Sequence, residues 1–237
     1  MQFSDSEYRG LFATDFDGTL LTTDKRVTPA VLAALGRLEE EKVLRVIATG
    51  RSLYSLFTVI GRDFPVEYVV FSSGAGVLRM KDGKVLMSRR FDERETAEIA
   101  EYLFALSVDF MIHHPVPENH RFFYHFTGGR NDDFHRRRQN YEEHAEPYDP
   151  EGMRGMEASE FLVVDPHGME AADRIEKELG DRVSVVRATS PLDHASFWIE
   201  IFPPSTDKGN GILWLASRCG LEAPVCAAVG NDYNDLH

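Results

Sequence analysis

Three short apolar runs in the first third of the chain constrain its fold more than any other feature: Leu11-Phe12-Ala13-Thr14, Val43-Leu44-Arg45-Val46-Ile47-Ala48 and Tyr68-Val69-Val70-Phe71. Each is too short for a core helix and reads as a strand buried on both faces. Between the first two, Thr28-Pro29 supplies an N-cap and a first-turn proline, and Val31, Leu32, Leu35 and Leu38 recur at helical spacing up to Glu39-Glu40-Glu41. A second helical pattern, over 52–60, precedes the third strand. Strand, helix, strand, helix, strand with short connections is the pattern of a parallel sheet covered on both faces. Loops following the strands of such a doubly wound α/β sheet gather along one edge, where ligands bind.

The rhythm changes near residue 77. Residues 77–81 and 84–88 flank Asp82-Gly83, a two-residue turn that signals an antiparallel hairpin. The reading then runs helix (92–106), strands (110–113 and 121–126), a polar stretch, strand (160–164), helix (168–179) and strand (182–187). Hairpins mixed with helices predict a separate α+β domain over 82–202, inserted into a core made of 1–81 and 203–237. After Trp198-Ile199-Glu200-Ile201-Phe202, the pair Pro203-Pro204 punctuates the return. A helix (209–219) and a buried strand (225–229) follow.

A length of 237 residues suits one large domain or two modest ones. Hydrophobic residues at 43% and charged residues at 27% exclude a disordered or fibrous chain. No run of 18 apolar residues exists, so no membrane span is expected. The N-terminal decapeptide carries Asp5 and Glu7 and lacks a signal peptide's apolar stretch, which predicts a cytoplasmic protein. Two cysteines, Cys219 and Cys226, form no disulfide framework and are expected to be buried and inert. The 26 basic residues against 39 acidic ones give a net charge of −13, which argues against nucleic acid or anionic membrane as partner. The one basic run, Arg136-Arg137-Arg138, sits among acids and reads as a solvated helical face. The oligomeric state is left open.

Four loops at the carboxyl ends of predicted core strands, or at the start of a core helix, hold the polar residues of interest. In Asp15-Phe16-Asp17-Gly18-Thr19, two carboxylates two residues apart follow a strand, hard oxygen ligands that suit magnesium. The glycine lets backbone approach a ligand closely. Thr49-Gly50-Arg51 offers a hydroxyl and backbone N–H groups at a helix start, suited to phosphate. Asp207-Lys208-Gly209 supplies a cation at another helix start. Residues 230–235 add two carboxylates and two carboxamides.

In this order and on these elements the four motifs resemble those of the haloacid dehalogenase superfamily of phosphohydrolases, specifically its Cof-type subfamily. The resemblance rests on Asp15 to Leu21, on Thr49 within Ile47 to Arg51, on Lys208-Gly209 and on Gly230 to Leu236. It implies a Rossmann-like core with an α+β cap between the second and third motifs. It also implies a magnesium-dependent phosphatase that cleaves a small phosphate monoester, a sugar or polyol phosphate, through an aspartyl-phosphate.

By the same resemblance Asp15 would be the nucleophile and Asp17 the general acid and base. Thr49, with backbone N–H groups near Gly18 and Gly50, would hold the phosphoryl oxygens, and Arg51 and Asn234 would line the same site. Lys208 would neutralise charge on the phosphate and Asp15. Magnesium would take oxygens from Asp15, the Asp17 carbonyl and the fourth motif. There the commonest family pattern has Asp where this chain has Asn231, so Asn231 and Asp235 are the expected ligands and Asp232 the alternative. Ser73 stands where many relatives have Asn. A phosphomutase on the same fold and a catalytically inactive phosphometabolite-binding module are the competing readings. A receiver-type signalling domain needs neither Asp17 nor a cap. Five histidines, 113, 114, 120, 125 and 135, crowd the cap with no standard zinc spacing, and strand packing and solvated loops are expected for them. Family members usually run on beyond the fourth motif, so about 30 further residues, one βαβ unit, are expected past His237.

Overall fold

The computed structural model describes residues 8–22, 24–166, 168, 170–190, 192–193 and 195–231. The chain divides into two compact units, one running to Ser88 and resuming at Thr206, the other Arg89–Ser205.

The first unit is a six-stranded sheet. Its strands are β1 (Gly10–Thr14), β2 (Val43–Ala48), β3 (Tyr68–Phe71), β4 (Gly76–Arg79), β5 (Lys84–Ser88) and, late in sequence, β12 (Cys226–Val229), in spatial order β12-β1-β2-β3-β4-β5. The four strands from β12 to β3 are parallel, and β4 and β5 turn back antiparallel. Helix α1 (Pro29–Glu40) starts as its sequence requires, with the Thr28 hydroxyl accepting the Val31 N–H and Pro29 in the first turn. Helix α6 (Lys208–Arg218) buries Leu215 and Ala216 against Leu44, Val46, Ala48 and Val70. The alternate residue Arg45 points the other way, reaching the Leu35 carbonyl and Glu39 of α1. The two helices therefore cover opposite faces.

Two sequence expectations change here. The helix over 52–60 is one turn, α2 (Leu53–Leu56), capped by Ser52. The β-branched run Thr58-Val59-Ile60 and then Gly61 stop it, since such residues crowd or loosen a helix. The hairpin also belongs to the core sheet, because β5 pairs with β4, and the chain crosses between units after Ser88 and Ser205, not at 82 and 202.

The second unit is a six-stranded sheet in the order β10-β11-β9-β6-β7-β8. Its strands are β6 (Phe110–His113), β7 (Phe122–His125), β8 (Ala145–Pro147), β9 (Glu160–Asp165), β10 (Ser184–Thr189) and β11 (Phe197–Phe202). Helices α3 (Glu93–Ala105), which opens on an Asp92–Glu95 capping box, and α5 (Glu170–Leu179) pack Ile99, Leu103, Ala172 and Ile175 on one face, against Phe110, Ile112, Phe161, Val163, Ile199 and Ile201. The other face holds Met111, Phe122, Leu162, Val164 and Trp198 around Phe134 of α4 (Asp132–Asn140).

Helix α4 carries the arginine run, and the solvated face expected there is corrected. Arg136 is exposed, but Arg137 lies 4.9 Å from the ring centres of both Tyr141 and Trp198, and Arg138 lies 5.3 Å from Tyr124. Guanidinium planes stack on aromatic faces in preference to open water. His113 is buried, its Nδ1 2.7 Å from the Asn119 carbonyl, and burial pushes its pKa down to about 3. Among the described residues no group of three or more His, Cys, Asp or Glu side chains is placed to hold a metal. Cys219 is buried and Cys226 half-buried, and burial raises both thiols. No helix of the described residues is long and apolar enough to cross a membrane.

Candidate active site

Strand register builds the site. Thr14 stands opposite Ile47 on one side and Val229 on the other, so β1, β2 and β12 end at one edge, with Asp15, Thr49 and Gly230 close after them. The Asp15 N–H donates to the Val229 carbonyl at 2.8 Å, which extends the ladder one residue past the strand and fixes where the carboxylate begins. That carboxylate is buried, and its Oδ1 accepts a 2.8 Å hydrogen bond from Lys208 Nζ, also buried. Lys208 is the first residue of α6, and Asp207 caps the helix by accepting the Asn210 N–H at 2.6 Å. Gly74, with φ +96°, lets that cap approach: a Cβ there would sit 2.1 Å from the Asp207 carbonyl. A cavity of about 300 Å³ lined by Asp15, Lys208, Ile212, Val229 and Gly230 adjoins the pair.

After Asp15 the chain makes a tight loop in which the Leu21 N–H returns to the Phe16 carbonyl at 2.9 Å. Gly18 takes φ +78°, and a Cβ on it would come within 3.0 Å of the Asn231 side-chain amide. The positive φ is what calls for glycine here, and the missing Cβ also leaves the Asn231 amide its room. One end of the Asn231 amide lies 2.9 Å from the Asp17 carbonyl, 3.3 Å from Asp15 Oδ2 and 2.9 Å from Thr19 Oγ1. Asp15 Oδ2, the Asp17 carbonyl and a side-chain carboxamide are hard oxygen donors of the kind magnesium takes, and they meet at one point. These residues fit the cation that the motifs imply.

Asp17 itself points elsewhere. Its two oxygens accept 2.6 and 2.7 Å bonds from Arg51 Nε and Nη2, a bidentate fork, while Arg51 Nη1 holds Ser55 Oγ at 3.1 Å. Arg51, read as a phosphate contact, is therefore committed to protein groups on all three nitrogens. Thr49 is buried, and its hydroxyl accepts the Arg51 N–H at 3.1 Å. Ser73 lies beside it, with its N–H on the Thr49 carbonyl and its Oγ 3.5 Å from where a Gly50 Cβ would be. Asp15, Asp17, Gly18, Thr49, Gly50, Arg51, Lys208 and Asn231 all belong to the first unit. Asp232, Asn234 and Asp235 lie outside the described residues.

Sequence reasoning assigned no role to Thr19, Ser55 or Asp207. Asp207, three residues before Asn210, carries an N-cap signature that could have marked it. Thr19 and Ser55 carry no such signal, since what they touch depends on loop closure.

The profile of the haloacid dehalogenase-like hydrolases matches residues 12–237. An "HMP-PP phosphatase" of Klebsiella pneumoniae is 26% identical over 227 residues, covering 95% of this chain and 78% of its own length. A phosphatase of the haloalkanoate enzyme superfamily from Bacteroides thetaiotaomicron shares the fold with a TM-score of 0.74 at 20% identity, over 98% of this chain and 81% of that one. A subclass IIB sugar phosphatase does so with a TM-score of 0.70 at 14% identity, over 95% and 82%. The chain belongs to the haloacid dehalogenase-like hydrolases, in their Cof-type branch, and is an enzyme of the phosphatase class.

Proposed function

We propose that this enzyme hydrolyses a small phosphate monoester, a sugar or polyol phosphate, with magnesium bound. The observation that carries the reading is the buried Asp15–Lys208 pair beside the converging oxygens of Asp15, Asp17 and the Asn231 amide. The names of the relatives agree: one is a sugar phosphatase and another an HMP-PP phosphatase.

Asp15 attacks phosphorus through Oδ1, the oxygen held by Lys208, and the bond from phosphorus to the ester oxygen breaks. Asp17 gives its proton to the departing alkoxide, then takes one from the water that attacks the aspartyl-phosphate, releasing inorganic phosphate and free Asp15. As a carboxylate Asp17 rests in the Arg51 fork, so its acid role requires release from Arg51 and protonation. Lys208 sets a fixed positive charge where negative charge gathers, which costs no reorganisation during the reaction. Thr49 and the backbone around Gly18 and Gly50 position phosphoryl oxygens. Asp15, the Asp17 carbonyl and Asn231 would hold magnesium, with Asp235 or Asp232 beside them. The ion, when bound, supplies charge neutralisation of the phosphoryl oxygens. The Arg89–Ser205 unit is the α+β insertion that the family resemblance identifies as a cap domain.

A panel of phosphate monoesters assayed with and without magnesium, with Asp15→Asn as control, tests the reading. Hydrolysis of sugar or polyol phosphates that needs magnesium and vanishes in the variant is expected. Turnover persisting in Asp15→Asn overturns the covalent mechanism.

A further inference from the structure

We propose that the Asn231 carboxamide is a built-in stand-in for the cation, donating N–H bonds to the metal-site oxygens when no ion is bound and turning its oxygen to the ion when one is. The inference rests on the magnesium reading above and concerns position 231, where this chain has asparagine and the commonest family pattern has aspartate.

The geometry comes from three oxygens around one amide end: the Asp17 carbonyl at 2.9 Å, Thr19 Oγ1 at 2.9 Å and Asp15 Oδ2 at 3.3 Å. Carbonyl and carboxylate oxygens only accept, so whatever lies among them must donate or be positive. With its NH2 turned toward them, the amide donates to Asp17 and Asp15. With its Oδ1 turned toward them, it accepts the Thr19 hydroxyl at 2.9 Å but faces two further acceptors, an arrangement that needs a cation. Thr19 is compatible with both orientations because a hydroxyl gives or takes a hydrogen bond. Gly18 packs against the same group, since a Cβ there would come to 3.0 Å from the Asn231 amide.

Aspartate at 231 could not do this. A second carboxylate brought to the Asp15 oxygen without an ion adds like-charge repulsion, although with the ion it adds a full ligand charge, the quantity that tunes affinity in hard-cation sites. Asparagine therefore trades cation affinity for a site that is satisfied when empty.

The test uses the full chain in three forms, wild type, Asn231→Asp and Asn231→Ala, at pH 8. Melting temperature is read in EDTA, and magnesium binding by calorimetry without substrate. In EDTA, Asn231→Asp should melt below wild type. It should also bind magnesium about tenfold more tightly, through its added ligand charge. Asn231→Ala, which loses donor and ligand together, should melt below wild type in EDTA and bind magnesium more weakly. Saturable magnesium binding with an unchanged or raised EDTA melting temperature for Asn231→Asp overturns the stand-in. Equal magnesium affinity of wild type and Asn231→Ala removes Asn231 from the ligand set and overturns it too. Magnesium binding to none of the three overturns the metal reading, and the inference falls with it.

Discussion

The Asp15–Lys208 pair permits a stability experiment whose outcome depends on buried charge and not on catalysis. Nζ and Oδ1 are 2.8 Å apart, and the two side chains are 8% and 9% exposed. Removing one partner of such a pair leaves an uncompensated charge out of water, which costs ~3–5 kcal/mol. Lys208→Met should therefore lower unfolding free energy by about that amount, and Asp15→Asn by a similar one. The double variant buries no charge here and should cost far less than the two single losses together, giving a coupling energy of about 2–4 kcal/mol. Rate cannot make this distinction, because either single change removes a group that the proposed mechanism uses. Urea denaturation in EDTA followed by circular dichroism reads it, with the transition of the first unit analysed separately because two units need not unfold as one. A double variant as unstable as the sum of the singles, with coupling under about 0.5 kcal/mol, would refute the reasoning. The pair would then act through packing, and Lys208 would lose its electrostatic role.

Three other outcomes follow from particular side chains. In single-turnover measurements of leaving-group release, Asp17→Asn should slow alkyl phosphates by about 10²–10⁴, the typical worth of a general acid, and slow p-nitrophenyl phosphate much less, since nitrophenolate leaves without a proton. An equal loss on both would remove the acid role. Glu160 is buried, and desolvation first, with Glu200 second, raises its pKa to about 8. The folded state thus holds the proton more tightly than the unfolded state does, so stability falls as pH rises from about 4.5 to about 8, by at most ~5 kcal/mol. Glu160→Gln should remove that slope in melting experiments, and profiles parallel to wild type at every pH would sink the assignment. Arg45, almost fully buried, is held by Glu67 at the backbone N–H (2.7 Å) and at the guanidinium, and by Glu39 at 2.9 Å. Glu67→Ala leaves this buried cation with Glu39 and the Leu35 carbonyl and should cost up to ~3 kcal/mol in urea, whereas a loss within about 0.5 kcal/mol would show that Glu39 alone compensates it.

How far the chain could be read in advance depended on whether a signal was local. Residues 11–14, 43–48 and 68–71 announce β1 to β3 because a short apolar run between helical segments has few alternatives. Helix α4 shows in the sequence only as a basic run readable as a helical face, with no apolar stripe to say that it packs: of its nine residues Phe134 alone is apolar, and it forms because Asn131 caps it, acids fill its first turn and Arg137 and Arg138 its last. The hairpin at Asp82-Gly83 is plain in sequence, but which sheet β5 joins is not, since that depends on the exposed edge of β4. The carbons and charges of the site were legible in the same uneven way. Asp15, Thr49 and Lys208 could be placed from motif order, yet a sequence cannot say whether Arg51 meets a phosphate or Asp17, because a guanidinium fork fits either. The position of Asn231 beside Thr19 depends on the register of β12 on β1, a contact between residues 212 apart in sequence.

These non-local contacts also answer how an enzyme with a net charge of −13 handles an anion. The surplus is not cancelled by a basic surface. In the site itself the Asp17 carboxylate is covered by Arg51 and the Asp15 carboxylate by Lys208, so neither presents a free charge toward an incoming phosphate. What would remain negative is the group of oxygens around Asn231, and there an amide or a cation answers them. Long-range repulsion between the acidic chain and its substrate is screened within about 8–10 Å at physiological salt, whereas contacts at 2.6–2.8 Å are not. Anion acceptance is accordingly set by the first few ångströms, and a change of surface charge far from the first unit's edge should leave it intact while any change to Lys208 or Arg51 should not.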